Sequence, residues 1–249
     1  MNLRLVGASC LAGLAGIGVA VAVSACQSSQ AKNAGLAKKG ATILKEEKGL
    51  TVSQTSSTVK VVDTSVLSDS NGSAVVVTLK NESARALMNV PIAIDVKDAK
   101  GKSVFKNDAA GLDPSLTSVP QMLPGQTVDW VDDQILATGT PKTVDVKVGV
   151  TQDTLPPNPP QVEASPPKLK DDPYSGLQVE GEVKNDSSIQ QIGLTLFAVA
   201  RKGGKVVAAG RGGIKVVAPN GGTRPYHIYF IGNPKGADVT VTAPPSSFD

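Results

Sequence analysis

Thr143-Val144-Asp145-Val146-Lys147-Val148-Gly149-Val150 sets a valine at every second position. A period of two places the four valines on one face of an extended chain and Asp145 and Lys147 on the other. That is the pattern of a half-buried antiparallel strand, with one face in a core and one in water. The pattern recurs upstream, where Val90, Ile92, Ile94 and Val96 alternate with Pro91, Ala93 and Asp95. Val75, Val77 and Leu79 form a further apolar face, as do Val59 and Val61. Turn-forming clusters at Asp69-Ser-Asn-Gly72, Asp98-Ala-Lys-Gly101, Leu123-Pro-Gly125 and Gly139-Thr-Pro141 separate these runs. Short alternating strands between such turns predict an all-β fold of the sandwich type. Pro91 has no N–H to give to a ladder, which predicts an edge position for its strand.

The plan then repeats. Lys80-Asn81-Glu82-Ser83 is echoed by Lys184-Asn185-Asp186-Ser187, and Gly101-Lys102-Ser103-Val104 by Gly204-Lys205-Val206-Val207. Leu123-Pro124-Gly125 is echoed by Ala218-Pro219-Asn220-Gly221, and the closing Val144–Val148 by Asp238–Val241. Four landmarks in one order indicate an internal duplication. The expected architecture is two tandem immunoglobulin-like β-sandwiches, residues 57–152 and 161–249. Between them lies Leu155-Pro-Pro-Asn-Pro-Pro160, and prolines favour extended polyproline geometry. Residues 153–160 therefore read as a stiff linker, with the first strand of the second copy in Gln161–Ser165.

At these residues the chain resembles the FxLYD-type immunoglobulin-like domains of bacterial envelope proteins. The likeness rests on Val179-x-Gly181-x-Val183-x-Asn185-x-Ser187 and on Asp98-Ala-Lys-Gly101-Lys-Ser-Val104. The aromatic residues that name the family are missing: Asp95-Val96-Lys97 follows Ile94, and only Phe197 follows Leu196. The resemblance implies a small β-sandwich in an envelope lipoprotein and transfers no catalytic residue.

The N-terminus points to the same compartment. An uncharged run, Leu5–Ala25, follows Arg4 and ends in Val23-Ser24-Ala25-Cys26. A basic start, an apolar stretch and small residues before a cut site make a secretory signal. Ending it on cysteine resembles the bacterial lipoprotein signal, with cleavage between Ala25 and Cys26. In that family the cysteine sulfur receives a diacylglyceryl group, and the new amine is often acylated. A membrane span or a plain cleaved signal are the alternatives, but neither accounts for Cys26. Residues 1–25 are thus read as the signal and 26–56 as the lipidated cysteine with a polar, flexible tether. Cys10 leaves with the signal and Cys26 carries lipid, so no disulfide is expected.

Composition excludes other classes. A formal charge of +3 with interspersed signs, and 3% aromatic residues, argue against nucleic acid as a partner. The single histidine, His227, lies in Tyr226-His-Ile-Tyr-Phe-Ile231. Alternation turns it outward with Tyr229, while Tyr226, Ile228 and Phe230 face inward, so no catalytic dyad is expected there. Asp129, Asp132 and Asp133 are weak candidates for a cation site, without a ligand loop around them. Asn71, Asn81 and Asn185 each open an Asn-x-Ser triplet; in Asn81 and Asn185 the side chains read as turn-stabilising. Gly203-Gly204, Gly210-Arg211-Gly212-Gly213 and Gly221-Gly222 read as hairpin turns and bulges rather than a phosphate cradle. Trp130 reads as a core plug.

The expected function is a non-enzymatic binding or scaffolding module without a cofactor. It would be lipid-anchored to the cell membrane, exposed on its outer side, and engage an envelope protein. The alternative is a substrate- or metal-binding lipoprotein that serves a transporter.

Overall fold

The computed structural model describes residues 49–172 and 176–248. The predicted signal, Ala25 and Cys26 lie outside the described residues. All described residues belong to one compact unit built almost wholly of antiparallel strands. The first half contains β1 (Val59–Asp69), β2 (Gly72–Asn81), β3 (Leu87–Lys97), β4 (Ser103–Lys106), β5 (Ser118–Met122), β6 (Thr127–Asp132) and β7 (Thr143–Val148). The second contains β8 (Val162–Ala164), β9 (Lys168–Asp172), β10 (Gly176–Asn185), β11 (Gln191–Lys202), β12 (Lys205–Val217), β13 (Gly222–Tyr229), β14 (Ile231–Gly232) and β15 (Asp238–Thr242).

In the first half, β2 pairs with β1 and β6, and β3 pairs with β4, β5 and β7. In the second, β10 pairs with β8, β9 and β13, and β11 pairs with β12 and β15. The two sets of pairings follow one plan, with β1 matched by β8 and β9 together, while the β12–β14 pair has no counterpart among the described strands of the first half. Between Asn107 and Thr117 the first copy breaks the partner of β3 into β4 and β5, where the second keeps one strand, β12. Asn107 patches the break. Its Oδ1 accepts from Ile94 N at 2.8 Å and its Nδ2 donates to the carbonyls of Ile92 and Leu116.

The duplication extends to single hydrogen bonds. Asn81 Nδ2 donates to the carbonyls of Arg85, Met122 and Leu123, and its Oδ1 accepts from Ser83 N and Oγ. Asn185 repeats the set with Ile189, Val217, Ala218 and Ser187. Both amides are fully buried. The side chains stabilise the turn, as the sequence suggests, but they also tie it to the far end of the facing sheet.

Three readings of the strands need correction. Pro91 sits in β3, the central strand of its sheet, not at an edge. Its carbonyl accepts from Gly149 N at 2.7 Å, just past the last residue of β7. Its missing N–H thus falls where that ladder ends, and a Cβ on Gly149 would lie 3.0 Å from the proline Cβ. Of the Val59 and Val61 face, Val59 is buried but Val61 is exposed, although the ladder with β2 is regular through both and shifts register only past Val61. Gly210, Gly212 and Gly213 lie within the continuous ladder of β12. A side chain at Gly210 would strike the carbonyl of Tyr229, so glycine lets β12 approach the neighbouring chain closely.

The largest departure concerns burial. In β2 the whole run Ala74–Leu79 is buried, and in β11 so are all five residues from Leu196 to Ala200. A strand buried at both parities is covered on both faces. The cover is the other half: the β1-β2-β6 sheet packs against the sheet of β11, β12, β14 and β15. Phe197, Val199 and Ala209 belong to the hydrophobic core of the first half, while Leu194, Leu196 and Ala198 fill that of the second. The proline segment does not hold the halves apart. The residues before it run back along β3, where Met88 N donates to the Asp153 carbonyl and Leu87 bridges Thr154. Thr55 and Ser56, at the end of the predicted tether, pair with Gly149 and Val148.

Candidate functional site: the cleft between the halves

Alternation along β2 and β6 sends Val77 and Trp130 into the first core and Thr78 and Asp129 toward the second half. Asp129 receives a two-pronged ion pair there, from Arg201 NH1 at 2.7 Å and NH2 at 2.8 Å. Thr78 Oγ1 donates to Asp129 Oδ1 at 2.7 Å and accepts from Arg201 NH2 at 3.2 Å. The hydrogen bond to Asp129 is the main reason Arg201 is held more firmly protonated than usual. Each fork of the guanidinium is matched by an oxygen, which fixes the register of the two sheets.

A second polar cluster lies beside it. Arg211 stands 5.9 Å over the Phe197 ring, gives its backbone N–H to Asp133 Oδ2 at 2.8 Å and its NH2 to Ser115 Oγ. Ser115 also accepts Trp130 Nε1 on its carbonyl at 2.9 Å. The inserted loop between β4 and β5 thereby joins the core tryptophan to the partner half. Asp132 is 1% exposed, with Oδ1 taken by Gln134 N and Oδ2 unpartnered among the described residues. Burial is the main cause that pushes its carboxyl up to about 6, against the opposing pull of the Gln134 N–H and the Arg211 charge. Burial raises Asp133 as well.

The three aspartates predicted as weak cation ligands thus serve different ends. Asp129 pairs with Arg201, Asp133 binds a backbone N–H, and Asp132 turns inward alone. Among the described residues, no three histidine, cysteine or carboxylate side chains are placed to hold a metal. His227 is exposed, with Nδ1 3.6 Å from Glu180 Oε2 on the neighbouring strand. Tyr226, Ile228 and Phe230 are buried as the alternation predicts, and Trp130 is fully buried.

Asp132 supplies a pH test. An acid whose folded pKa lies above its unfolded value of 3.8 contributes stability that is complete below that value and lost as pH rises through about 6. Asp132→Asn should therefore stabilise the protein by about 3 kcal/mol at pH 7.5 and by well under ~1 kcal/mol at pH 4. Denaturant unfolding of both proteins across that range measures the difference.

Next to the Arg201–Asp129 pair, the halves leave a cleft of 580 Å³. The first half contributes Val119, Gln121 and residues 126–129; the second contributes Val162–Ala164, Phe197 and the stretch Thr240–Pro245. Three of these stretches belong to strands that pair on one side only: β6, β8 and β15. The cleft can therefore offer backbone hydrogen bonds as well as apolar surface. Its walls contain Glu163, the one charged side chain there besides the paired Asp129 and Arg201.

Arg201, Arg211 and Phe197 are not among the site residues expected from the sequence, and the cleft is not expected from it either. The available signal was the unbroken apolar run in Ala74–Val77 and Leu196–Ala200, which a two-residue period does not produce. No protein-family model matches the chain, and no curated protein matches it.

Proposed function

We propose that the chain is a lipid-anchored protein of the bacterial cell envelope, a non-enzymatic binding or scaffolding module on the outer face of the membrane. The observation that carries the reading is the way the second copy closes on the first. Asp129, Asp133, Arg201 and Arg211, charged groups that face across the two halves, are engaged in joining them. What that joining leaves open to a partner is a cleft rimmed by strand edges. This arrangement suits recognition of another chain better than turnover of a small substrate. The lipoprotein-like ending at Val23-Ser-Ala-Cys26, together with the likeness to FxLYD-type domains, supports this compartment.

Two measurements test this reading. Cys26→Ser should abolish incorporation of labelled palmitate and release the protein from the membrane fraction, while the melting temperature of the folded part stays unchanged. A Cys26→Ser protein that remains membrane-bound after a high-pH wash contradicts lipid anchoring. Site-specific crosslinking in living cells then addresses binding, with probes at the cleft and at Leu136, a large apolar side chain that is 86% exposed. Failure to recover a reproducible partner from either position contradicts a binding role.

A further inference from the structure

The outer edge of β15 opens onto the cleft. Thr240 faces Val199 across the ladder, and Thr240 Oγ1 donates to the Val199 carbonyl, which therefore points toward β15. In an antiparallel ladder successive residues turn their backbone groups to opposite sides. Val239 and Val241 consequently aim N–H and C=O away from β11, and no described strand pairs with them there. An unpaired edge of this kind is a template for another strand.

The first copy shows what lies at the corresponding place. Past the end of β7, the extended stretch Gln54–Ser56 pairs with Val148–Val150: Ser56 N donates to the Val148 carbonyl and Val150 N to that of Gln54. In the second copy Pro244 and Pro245 follow β15, and Leu155-Pro-Pro-Asn-Pro-Pro160 precedes β8. Prolines have no N–H to form such a pair. The chain supplies an extended segment to its first copy and prolines to its second.

We propose that the cleft receives an extended segment of a partner protein, which adds a strand to β15. This deepens the binding reading above and rests on it. The occupant's chemistry follows from the walls. Backbone groups pair with Val241 in the cleft and with Val239 beside it, apolar side chains at alternate positions meet Phe197 and Val119, and a lysine or arginine lies near Glu163, whose cross-strand neighbour is Lys184. The Arg201–Asp129 pair is already neutral and favours no charge of its own.

The test uses the full chain, purified in detergent, with a phage-displayed library of random dodecapeptides as the probe. Enriched peptides should alternate apolar and polar residues and carry a basic one. As synthetic peptides they should slow hydrogen exchange at the Val239 and Val241 amides. Val241→Pro removes one outward N–H without touching the β11 ladder and should weaken binding at least tenfold. If that variant melts much earlier than the parent, Thr242→Trp replaces it, since that exposed side chain points into the cleft and fills it. Peptides that bind both variants as tightly as the parent, or that protect other amides, overturn this site but leave a binding role standing. Failure to enrich any peptide also overturns it, and the cellular crosslinking then judges the broader reading separately.

Discussion

Replacing Asn81 or Asn185 with alanine is expected to destabilise the protein by about 3–5 kcal/mol, close to abolishing folding in a domain of ordinary stability. Each amide makes five hydrogen bonds with no exposure to water. Alanine leaves three carbonyls and a backbone N–H to find other partners in a buried corner, and an unmet buried group costs about 1–3 kcal/mol. Aspartate should be no better, because its oxygens cannot donate to Met122 and Leu123 or to Val217 and Ala218. Since the two networks are equivalent, both substitutions should cost nearly the same. Urea unfolding of each variant checks this, and a loss below about 1 kcal/mol contradicts the role given to the amide.

The second large effect is expected at Phe197. Its ring is 3% exposed and packs in the hydrophobic core of the first half, although it belongs to a strand of the second. Phe197→Ala should cost about 3–5 kcal/mol through lost burial and the cavity left behind. It also removes the surface beneath Arg211. The only tryptophan, Trp130, lies in the first half and reports on it by fluorescence. A substitution in the second half should therefore lower the unfolding midpoint seen by a probe in the first.

The period-two pattern was legible wherever a strand has one wet face, as in Thr143–Val148 and Tyr226–Phe230. It also exposed the duplication, because Asn81 and Asn185 must sit at the same corner of each copy to reach the same carbonyls. The stacking of one half on the other escaped it. Alternation describes a single covered face, and in Ala74–Leu79 the residues between those of the apolar face are buried against a sheet more than a hundred residues away. Arg201 and Asp129 look like solvated charges in the sequence, for nothing local marks them as partners. Proline was also over-read. A missing N–H at Pro91 needs only the end of a neighbouring strand, and β7 stops there. The acidic trio does not assemble because each carboxylate has its own surroundings: Asp129 and Asp133 meet separate arginines of the second half, and Asp132 is buried apart from them.

These points converge on the claim that the two copies are one body whose cleft exists only while they remain joined. Thermal unfolding of the full chain, followed together by calorimetry and Trp130 fluorescence, tests that claim most directly. One transition is expected, coincident by both probes, and it moves down as a whole in Phe197→Ala. Two separate transitions, with the fluorescence step unmoved by Phe197→Ala, would mean that the copies fold and melt independently and that the cleft is no fixed feature of the protein.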